Sequence, residues 1–339
     1  MSNFQAREIP DLFRPEPQPF EPIWGYWPID IHVLPHTKKF LGRILRHFGS
    51  VWRYVFRSTT NEDSFLRLAY GIIWIAEMKF TVRERRGCDL ECAPEPYVRL
   101  TDLPAWEVPR RTVVPSGSTW FVLAATIHVG MAKAKHHYSE VCLKSMTIGM
   151  QLPKFVIMTP TQICMVRPNV RGKKSSDPSA EEWSFTETKQ LWDEHGLTDA
   201  AIELILFVVN TCKFATKPPG GGFYNRFNAL SPELQYKILG YNSSCRFAAA
   251  KLACENDLPA EFNWLEHGLP IQRQYYKARR THNSPVESQI LLNGIMSGLS
   301  YQRVPCKCYI QRRPQRSRWP RPFTRRFHSW MRMGQCSKV

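Results

Sequence analysis

Residues 38–57 read KKFLGRILRHFGSVWRYVFR, which is the pattern of an amphipathic helix. Apolar side chains recur at steps of three and four residues, and basic side chains take the remaining faces. The apolar positions are Phe40, Leu41, Ile44, Leu45, Phe48, Val51, Trp52, Val55 and Phe56. Basic amphipathic helices are also typical of membrane-surface and calmodulin-target segments. We prefer a core helix, because the apolar face is wide and a second apolar segment follows to cover it.

That second segment predicts a helix over 65–80, with Asn61 or Ser64 as its N-cap, so that the two helices form a hairpin. Between 82 and 168 the residue pattern no longer predicts long helices, because prolines would interrupt them. Short β-rich runs appear there, at 112–114, 120–129, 146–150, 155–158 and 163–166. Thr159-Pro160-Thr161 is a plausible hairpin connection between the last two runs. The stretch predicts a small sheet.

Helical patterns return at 179–194 and at 199–214, the latter with Thr198 as its N-cap. The sequence KPPGGG at 217–222 is the clearest linker in the chain. After it, Ser231-Pro232 is a strong helix start, and Ser244 or Cys245 begins another helix that runs to Glu255. The sequence SPVE at 284–287 matches a capping box and predicts a helix to about Gly298.

These patterns predict an α+β protein with an N-terminal helical pair, a small sheet and an α-rich C-terminal section. The predicted organisation is a proline-rich lead-in (1–36), an α+β domain (37–216), a linker (217–222), an α-rich section (223–302) and an Arg-rich, disordered tail (303–339).

Composition excludes several classes of protein. With 43% hydrophobic and 22% charged residues among 339, the chain is neither a disordered segment nor a membrane bundle. We find no spanning segment and no secretory signal, which predicts an intracellular protein whose ten cysteines are reduced. Cys88 and Cys92, like Cys306 and Cys308, lack zinc-knuckle spacing. No phosphate loop or nucleophile motif is present, so we predict no metal, no cofactor and no enzymatic activity.

Positive charge is concentrated at the C-terminal end of the chain. The formal net charge is +17, and residues 303–339 hold eleven Lys or Arg and no acidic residue. Within QRRPQRSRWPRPFTRR at 311–326, arginines alternate with aromatic rings, which together suit phosphate pairing and base stacking. The predicted contacts for non-specific nucleic acid or nuclear import are Arg312, Arg313, Arg316, Arg318, Trp319, Arg321, Arg325 and Arg326. A solvated tail without a dedicated ligand is the alternative.

Residues 227–254 read FNALSPELQYKILGYNSSCRFAAAKLAC. This segment resembles the start of an F-box, whose pattern opens with Leu, Pro and Glu-Leu and continues with Ile-Leu. The resemblance implies docking onto a Skp-type adaptor of a ubiquitin ligase. The matching positions, taken as candidate partner-docking residues, are Leu230, Pro232, Leu234, Ile238 and Leu239. A well-capped helix pair without a partner is the alternative interpretation.

Across its length the chain is also similar to the fungal mating-type regulators named for a His-Pro-Gly signature, which have neither an HMG box nor an alpha box. The likeness lies in chain length, in the many tryptophans, in an excess of basic over acidic residues and in the absence of catalytic motifs. In IDIHVLPHTKKFLG at 29–42, the signature positions correspond to His32 or His36, Pro35 and Gly42. The resemblance implies a nuclear factor of sexual development that acts through other mating-type regulators. The F-box-like adaptor is the alternative function, and neither hypothesis involves a membrane.

Overall fold

A computed structural model describes residues 25–26, 33–58, 62–85, 106–142, 152–168, 183–216, 227, 229–243, 245–258, 261–274 and 284–304. Chain contacts up to Arg303 form one compact unit. The predicted linker at 217–222, the β-rich run at 146–150 and the tail contacts from Arg312 to Arg326 lie outside the described residues.

The amphipathic pattern at 38–57 forms the central helix of the fold. A short helix α1 (Pro35–Thr37) and a π-helical turn (Lys38–Gly42) lead into α2 (Arg43–Ser58), which packs against α3 (Glu62–Ala76). Two of the surrounding basic side chains form ion pairs, Lys38 with Glu203 and Arg46 with Asp199. The predicted apolar positions from Phe40 to Val55 are buried in the main core, which confirms the core interpretation of this helix.

The first sheet has seven strands. They are β1 (Gly25–Tyr26), β3 (Val113–Ser116), β4 (Thr119–Leu123), β5 (Lys154–Met158), β6 (Gln162–Pro168), β7 (Trp183–Phe185) and β8 (Lys189–Gln190). Their order is β1-β7-β6-β5-β4-β3, with β8 also paired to β6. The sheet is larger than the small sheet that the sequence predicts, because it also includes short strands from 25–26 and from 183–190.

Strands β4 and β5 are parallel and are joined by the crossover helix α4 (Ile127–His137), which a second π-helical turn (Tyr138–Cys142) extends. The predicted strand at 120–129 is therefore wrong beyond Leu123. Thr126 decides the change, because its hydroxyl accepts a hydrogen bond from the Val129 N–H and caps the helix. The hairpin predicted at Thr159-Pro160-Thr161 is confirmed by the antiparallel pairing of β5 with β6.

The second sheet has five strands in the order β2-β11-β12-β10-β9 and is antiparallel throughout. Its strands are β2 (Thr81–Arg85), β9 (Leu265–Glu266), β10 (Leu269–Arg273), β11 (Glu287–Leu292) and β12 (Ile295–Arg303). Because β2 pairs with β11, residues before and after the predicted linker share one sheet. The predicted α+β domain and the section after it are therefore parts of one unit.

The helix predicted from 284 to 298 is wrong, because these residues form the β11–β12 hairpin. Asn293 and Gly294 have φ of 49° and 77°, the left-handed pair that a two-residue type I′ turn requires. This turn outweighs the local capping pattern, and the C-terminal section is consequently less α-rich than predicted. Arg303, predicted to begin the tail, is the last residue of β12.

Among the described residues, three further helices follow: α5 (Asp199–Thr216), α6 (Pro232–Tyr241) and α7 (Arg246–Glu255). Thr198 caps α5 as predicted, because its hydroxyl accepts from the Ala201 N–H at 3.1 Å. The helix predicted at 179–194 is wrong over its described part, where β7 and β8 pair with β6. Cross-strand pairing there overrides the local helical pattern.

The main core includes residues of both sheets and of α2, α3 and α5. One face of the first sheet enters this core through Phe121, Val156 and Met165, while its opposite face packs with α4 through Val122, Phe155 and Ile157. The second sheet contributes Ile290, Leu299 and Tyr301 to the same core. The architecture is α+β, in agreement with the predicted class.

Candidate partner-docking site

The α6–α7 helix pair forms where the capping signals predict it. Ser231 is the N-cap residue of α6, and Pro232 occupies the first turn, where its missing N–H costs nothing. At α7 the N-cap is Cys245, whose sulfur accepts a hydrogen bond from the Ala248 N–H at 3.4 Å.

The inner face of the pair is a small core of its own, formed by Phe227, Leu239, Ala249, Ala253 and Leu258. Next to this core, the side-chain amide of Gln235 donates hydrogen bonds to the carbonyl oxygens of Phe227 at 3.2 Å and of Leu230 at 3.1 Å. Leu230 and Ile238 are half-buried against this core. Of the five predicted docking residues, Leu239 is therefore internal, and Leu230 and Ile238 are shared between the core and the surface.

The exposed positions of α6 include apolar side chains beside the charged Glu233 and Lys237. Leu234 is 47% exposed and Tyr241 is 91% exposed, and Pro232 is exposed beside them. With Ile238 between them, Leu234 and Tyr241 have i, i+4 and i+7 spacing, which places all three on one helix face. We call Leu234, Ile238 and Tyr241 the α6 stripe. Such a stripe is how an amphipathic helix contacts a partner's groove.

Tyr241 was not among the predicted residues, although its i+7 spacing from Leu234 is visible in the sequence. What the sequence does not reveal is that the side chain points away from the core. Spacing alone does not distinguish a buried from an exposed aromatic side chain at this helix end, and the structure does, with Tyr241 91% exposed.

Polar groups at this site have distinct environments. Hydrogen bonds from its own backbone N–H and from the Ser231 hydroxyl lower the pKa of the exposed Glu233 carboxyl. Burial raises the pKa of Tyr236 to about 12, so that its phenol stays neutral at physiological pH. Neither group interrupts the apolar α6 stripe.

The opposite face of α7 joins the pair to the main core. Phe247 stacks on Tyr301 of β12 with ring centroids 4.9 Å apart, and it contacts Phe40, Phe262 and Trp264 as well. Arg43 lies over the Trp264 ring at 4.3 Å, so that a cation–π contact closes this aromatic cluster. The aromatic cluster thus connects α7 to the main core, and α7 in turn packs against α6.

The remaining sequence predictions concern the signature positions, metal ions and the membrane. Of the proposed signature positions, His36 is buried, Pro35 starts α1, and Gly42 packs near Ile202. Within the described ranges, no three His, Cys, Asp or Glu side chains are arranged to hold a metal ion. No helix in the same ranges combines the length and apolarity required to span a membrane.

No protein-family model, no curated protein and no solved structure matches this chain.

Proposed function

We propose that this chain is a non-enzymatic regulatory protein that binds another protein through the α6 stripe, and that the partner is a helical adaptor of the Skp type. The single observation that carries the proposal is the exposure of Leu234 and Tyr241 on one face of a well-anchored helix. The F-box-like sequence of the same segment supplies the partner class.

The energetic argument favours a binding role for this face. Complete burial of a fully exposed large apolar side chain contributes roughly 1.5–3 kcal/mol. Leu234, which is 47% exposed, would contribute about half of that range in a partner's groove, and Tyr241 still has nearly all of its surface to bury. Aromatic anchors are also enriched among residues that dominate binding energy. Because the aromatic cluster holds α7 in place, little ordering entropy is lost when a partner docks.

The similarity to mating-type regulators adds a biological setting to this proposal. A factor of sexual development that recruits a ubiquitin-ligase adaptor would control the abundance of other regulators. The basic tail supplies nuclear import or nucleic-acid contact in the same scheme. Each of these functions rests on sequence features alone.

Titration calorimetry of the full-length chain with a purified Skp-type adaptor tests the proposal. We expect binding by the native chain and a loss of roughly tenfold or more in affinity for the double variant Leu234→Asp, Tyr241→Asp. Ile295→Asp is the matched control, since Ile295 is 37% exposed at the start of β12, outside α6 and α7. Its affinity should equal that of the native chain.

Thermal melts of each variant separate lost contacts from lost folding. The double variant should melt near the native temperature, because Tyr241 is almost fully exposed and Leu234 is about half exposed. An absence of adaptor binding by the native chain, or unchanged affinity in the double variant, would refute the proposal.

A further inference from the structure

Ser231, the N-cap residue of α6, belongs to one of three dipeptides in the chain in which proline follows serine or threonine. The other two are Thr159-Pro160 and Ser284-Pro285. Protein kinases of the proline-directed class require a proline directly after the serine or threonine that they modify. The sequence thus contains three candidate sites for such a kinase, and the surroundings of each hydroxyl distinguish them.

The fold shields two of these sites. Thr159 is 1% exposed, and its hydroxyl donates to the carbonyl oxygen of Gln162 at 3.1 Å and accepts from the Gln162 N–H at 2.9 Å. Ser284 and Pro285 are partly buried before β11, where the Pro285 carbonyl oxygen accepts from the Gln302 amide at 3.0 Å. A kinase reaches these segments only after strands of the two sheets have opened.

The third site, Ser231, is open to solvent. Ser231 and the three residues after it are exposed. The Ser231 backbone is extended, with φ of −61° and ψ of 149°, because a residue before proline is kept out of the helical region. Kinases bind their substrates as extended segments. Since helix ends open at little cost in free energy, a kinase can bind this segment without disturbing the core.

The Ser231 hydroxyl is available for modification. It accepts no hydrogen bond from the first N–H groups of α6, and it donates to the exposed carboxyl of Glu233. A phosphate on this oxygen therefore breaks no buried contact. Its acceptor oxygens also lie beside the first N–H groups of the helix, where negative charge is favourable.

We propose that Ser231 is a modification site for a proline-directed kinase, and that phosphate at this position prevents docking at the α6 stripe. The Ser231 Oγ attacks the γ-phosphorus of ATP. The bond from that phosphorus to the bridging oxygen breaks, and its electron pair leaves with ADP. The hydroxyl proton passes to the catalytic aspartate of the kinase and then to water. One serine and one ATP thus give one phosphoserine, one ADP and one proton.

The effect on docking rests on the proposed function. The side chain of an N-cap residue lies beside the third residue of its helix, which is Leu234 in α6. A phosphoserine carries a charge of about −1.5 to −2 at pH 7. Placing Leu234 in an apolar groove would then also remove water from this charge, a cost that the neutral serine does not have.

Kinase assays on the full-length chain test the modification site. The chain is incubated with an active mitogen-activated protein kinase and ATP, and phosphate at each dipeptide is followed by mass spectrometry of peptides. Synthetic peptides that span each dipeptide give the rate that the local sequence allows without the fold. Modification of Ser231 in the chain should be within about tenfold of its peptide rate, whereas that of Thr159 should be slower than its peptide rate by about a thousandfold or more.

Two variants separate the dipeptide from its surroundings. Pro232→Ala keeps the Ser231 hydroxyl but removes the proline that the kinase requires, so modification at this position should cease. Ser231→Ala is the control for docking. After kinase treatment the native chain should bind the Skp-type adaptor about tenfold or more weakly, while treated Ser231→Ala should bind like the untreated native chain. Melting curves confirm that both variants fold.

The possible failures can be told apart. Modification of Ser231 that is slowed as strongly as that of Thr159, or that persists in Pro232→Ala, would overturn the modification site. Unchanged adaptor affinity after phosphorylation would overturn its effect on docking. A native chain that does not bind the adaptor would overturn the proposed function together with that effect, whereas the kinase rates would still decide the modification site.

Discussion

The indole N–H of Trp52 in α2 donates a hydrogen bond of 2.8 Å to the carbonyl oxygen of Ser297 in β12. The strand register shifts at this point, and Gly298 has a φ of 86°, so that β12 bulges. A Cβ on Gly298 would lie 3.0 Å from Val51 and 3.4 Å from Trp52. The bulge therefore frees one strand carbonyl for the central helix and lets the two backbones approach.

Trp52→Phe should destabilise the fold, because it removes a buried donor and leaves the Ser297 carbonyl without this partner. We expect a loss of about 2 kcal/mol in the free energy of unfolding, measured by urea denaturation. Trp74→Phe is the comparison, since Trp74 is half-buried and its indole makes no hydrogen bond within the described residues. Equal losses in the two variants would contradict a specific role for the Trp52 bond.

Gly49→Ala should also destabilise the protein, although alanine is ordinarily the better helix former. A Cβ at residue 49 would lie 2.6 Å from the Leu197 backbone nitrogen, so that α2 and the loop before α5 must separate. We expect a loss of about 1–3 kcal/mol in the free energy of unfolding.

The matched substitution Gly240→Ala should have the opposite sign. Nothing lies within 4 Å of a Cβ at this position in α6, and helix propensity then favours alanine by roughly 0.5–1 kcal/mol. Denaturant titration of both variants checks the pair. A stabilised Gly49→Ala protein would show that the close approach is not maintained in solution.

His47 should make the fold less stable in acid. Burial, followed by the positive charges of Arg273, Arg43 and Arg46, lowers the pKa of His47 to about 3, from the ordinary 6.5. Between these two pH values the unfolded chain binds a proton that the folded chain does not. Stability therefore falls as pH falls through this window, by at most about 1.4 kcal/mol per pH unit from this group.

The variant His47→Gln isolates this contribution. It loses the 3.1 Å hydrogen bond between Nδ1 and the Tyr301 hydroxyl, so it is less stable than the native chain at pH 7. The stability difference between the two proteins should shrink by up to about 2 kcal/mol at pH 5. The control variant His195→Gln changes an exposed histidine. Its stability should depend on pH in the same way as that of the native chain. A difference that does not change with pH would be inconsistent with a buried, neutral His47.

Deleting residues 304–339 should remove most of the salt dependence of any nucleic-acid binding. Arginine contacts to phosphates release counterions, so the logarithm of the binding constant falls linearly with the logarithm of salt concentration, with a slope set by the number of contacts. The deletion keeps Arg303 as the end of β12. Fluorescence anisotropy with a random single strand at several salt concentrations measures the slope. An unchanged slope after deletion would place the contacts elsewhere, and the same two proteins can be compared for nuclear localisation.

Local signals in the sequence were sufficient for several elements. The caps at Thr198 and Ser231-Pro232 predicted α5 and α6, and the run at 155–166 predicted the β5–β6 hairpin, because each depends on neighbouring residues only. The prediction failed at 284–298, where an apparent capping box competed with the Asn293-Gly294 turn and with strand partners far away in the chain. It failed similarly at 179–194, where β6 supplies the pairing.

At the candidate docking site, too, the sequence identified the local elements and the structure identified the exposed side chains. The sequence identified α6 and most of its apolar positions, but burial alone distinguished Leu239, which belongs to the core, from Leu234 and Tyr241, which face water.

By itself, then, the amino-acid sequence determined the α+β composition, the central amphipathic helix and the helix pair after the linker, because periodicity and capping act over a few residues. The tertiary structure alone decided that β2 pairs across the chain with β11, that β12 bulges toward Trp52, and which side chains face solvent. Those outcomes depend on contacts between residues distant in sequence, whose free energy exists only once the chain has folded.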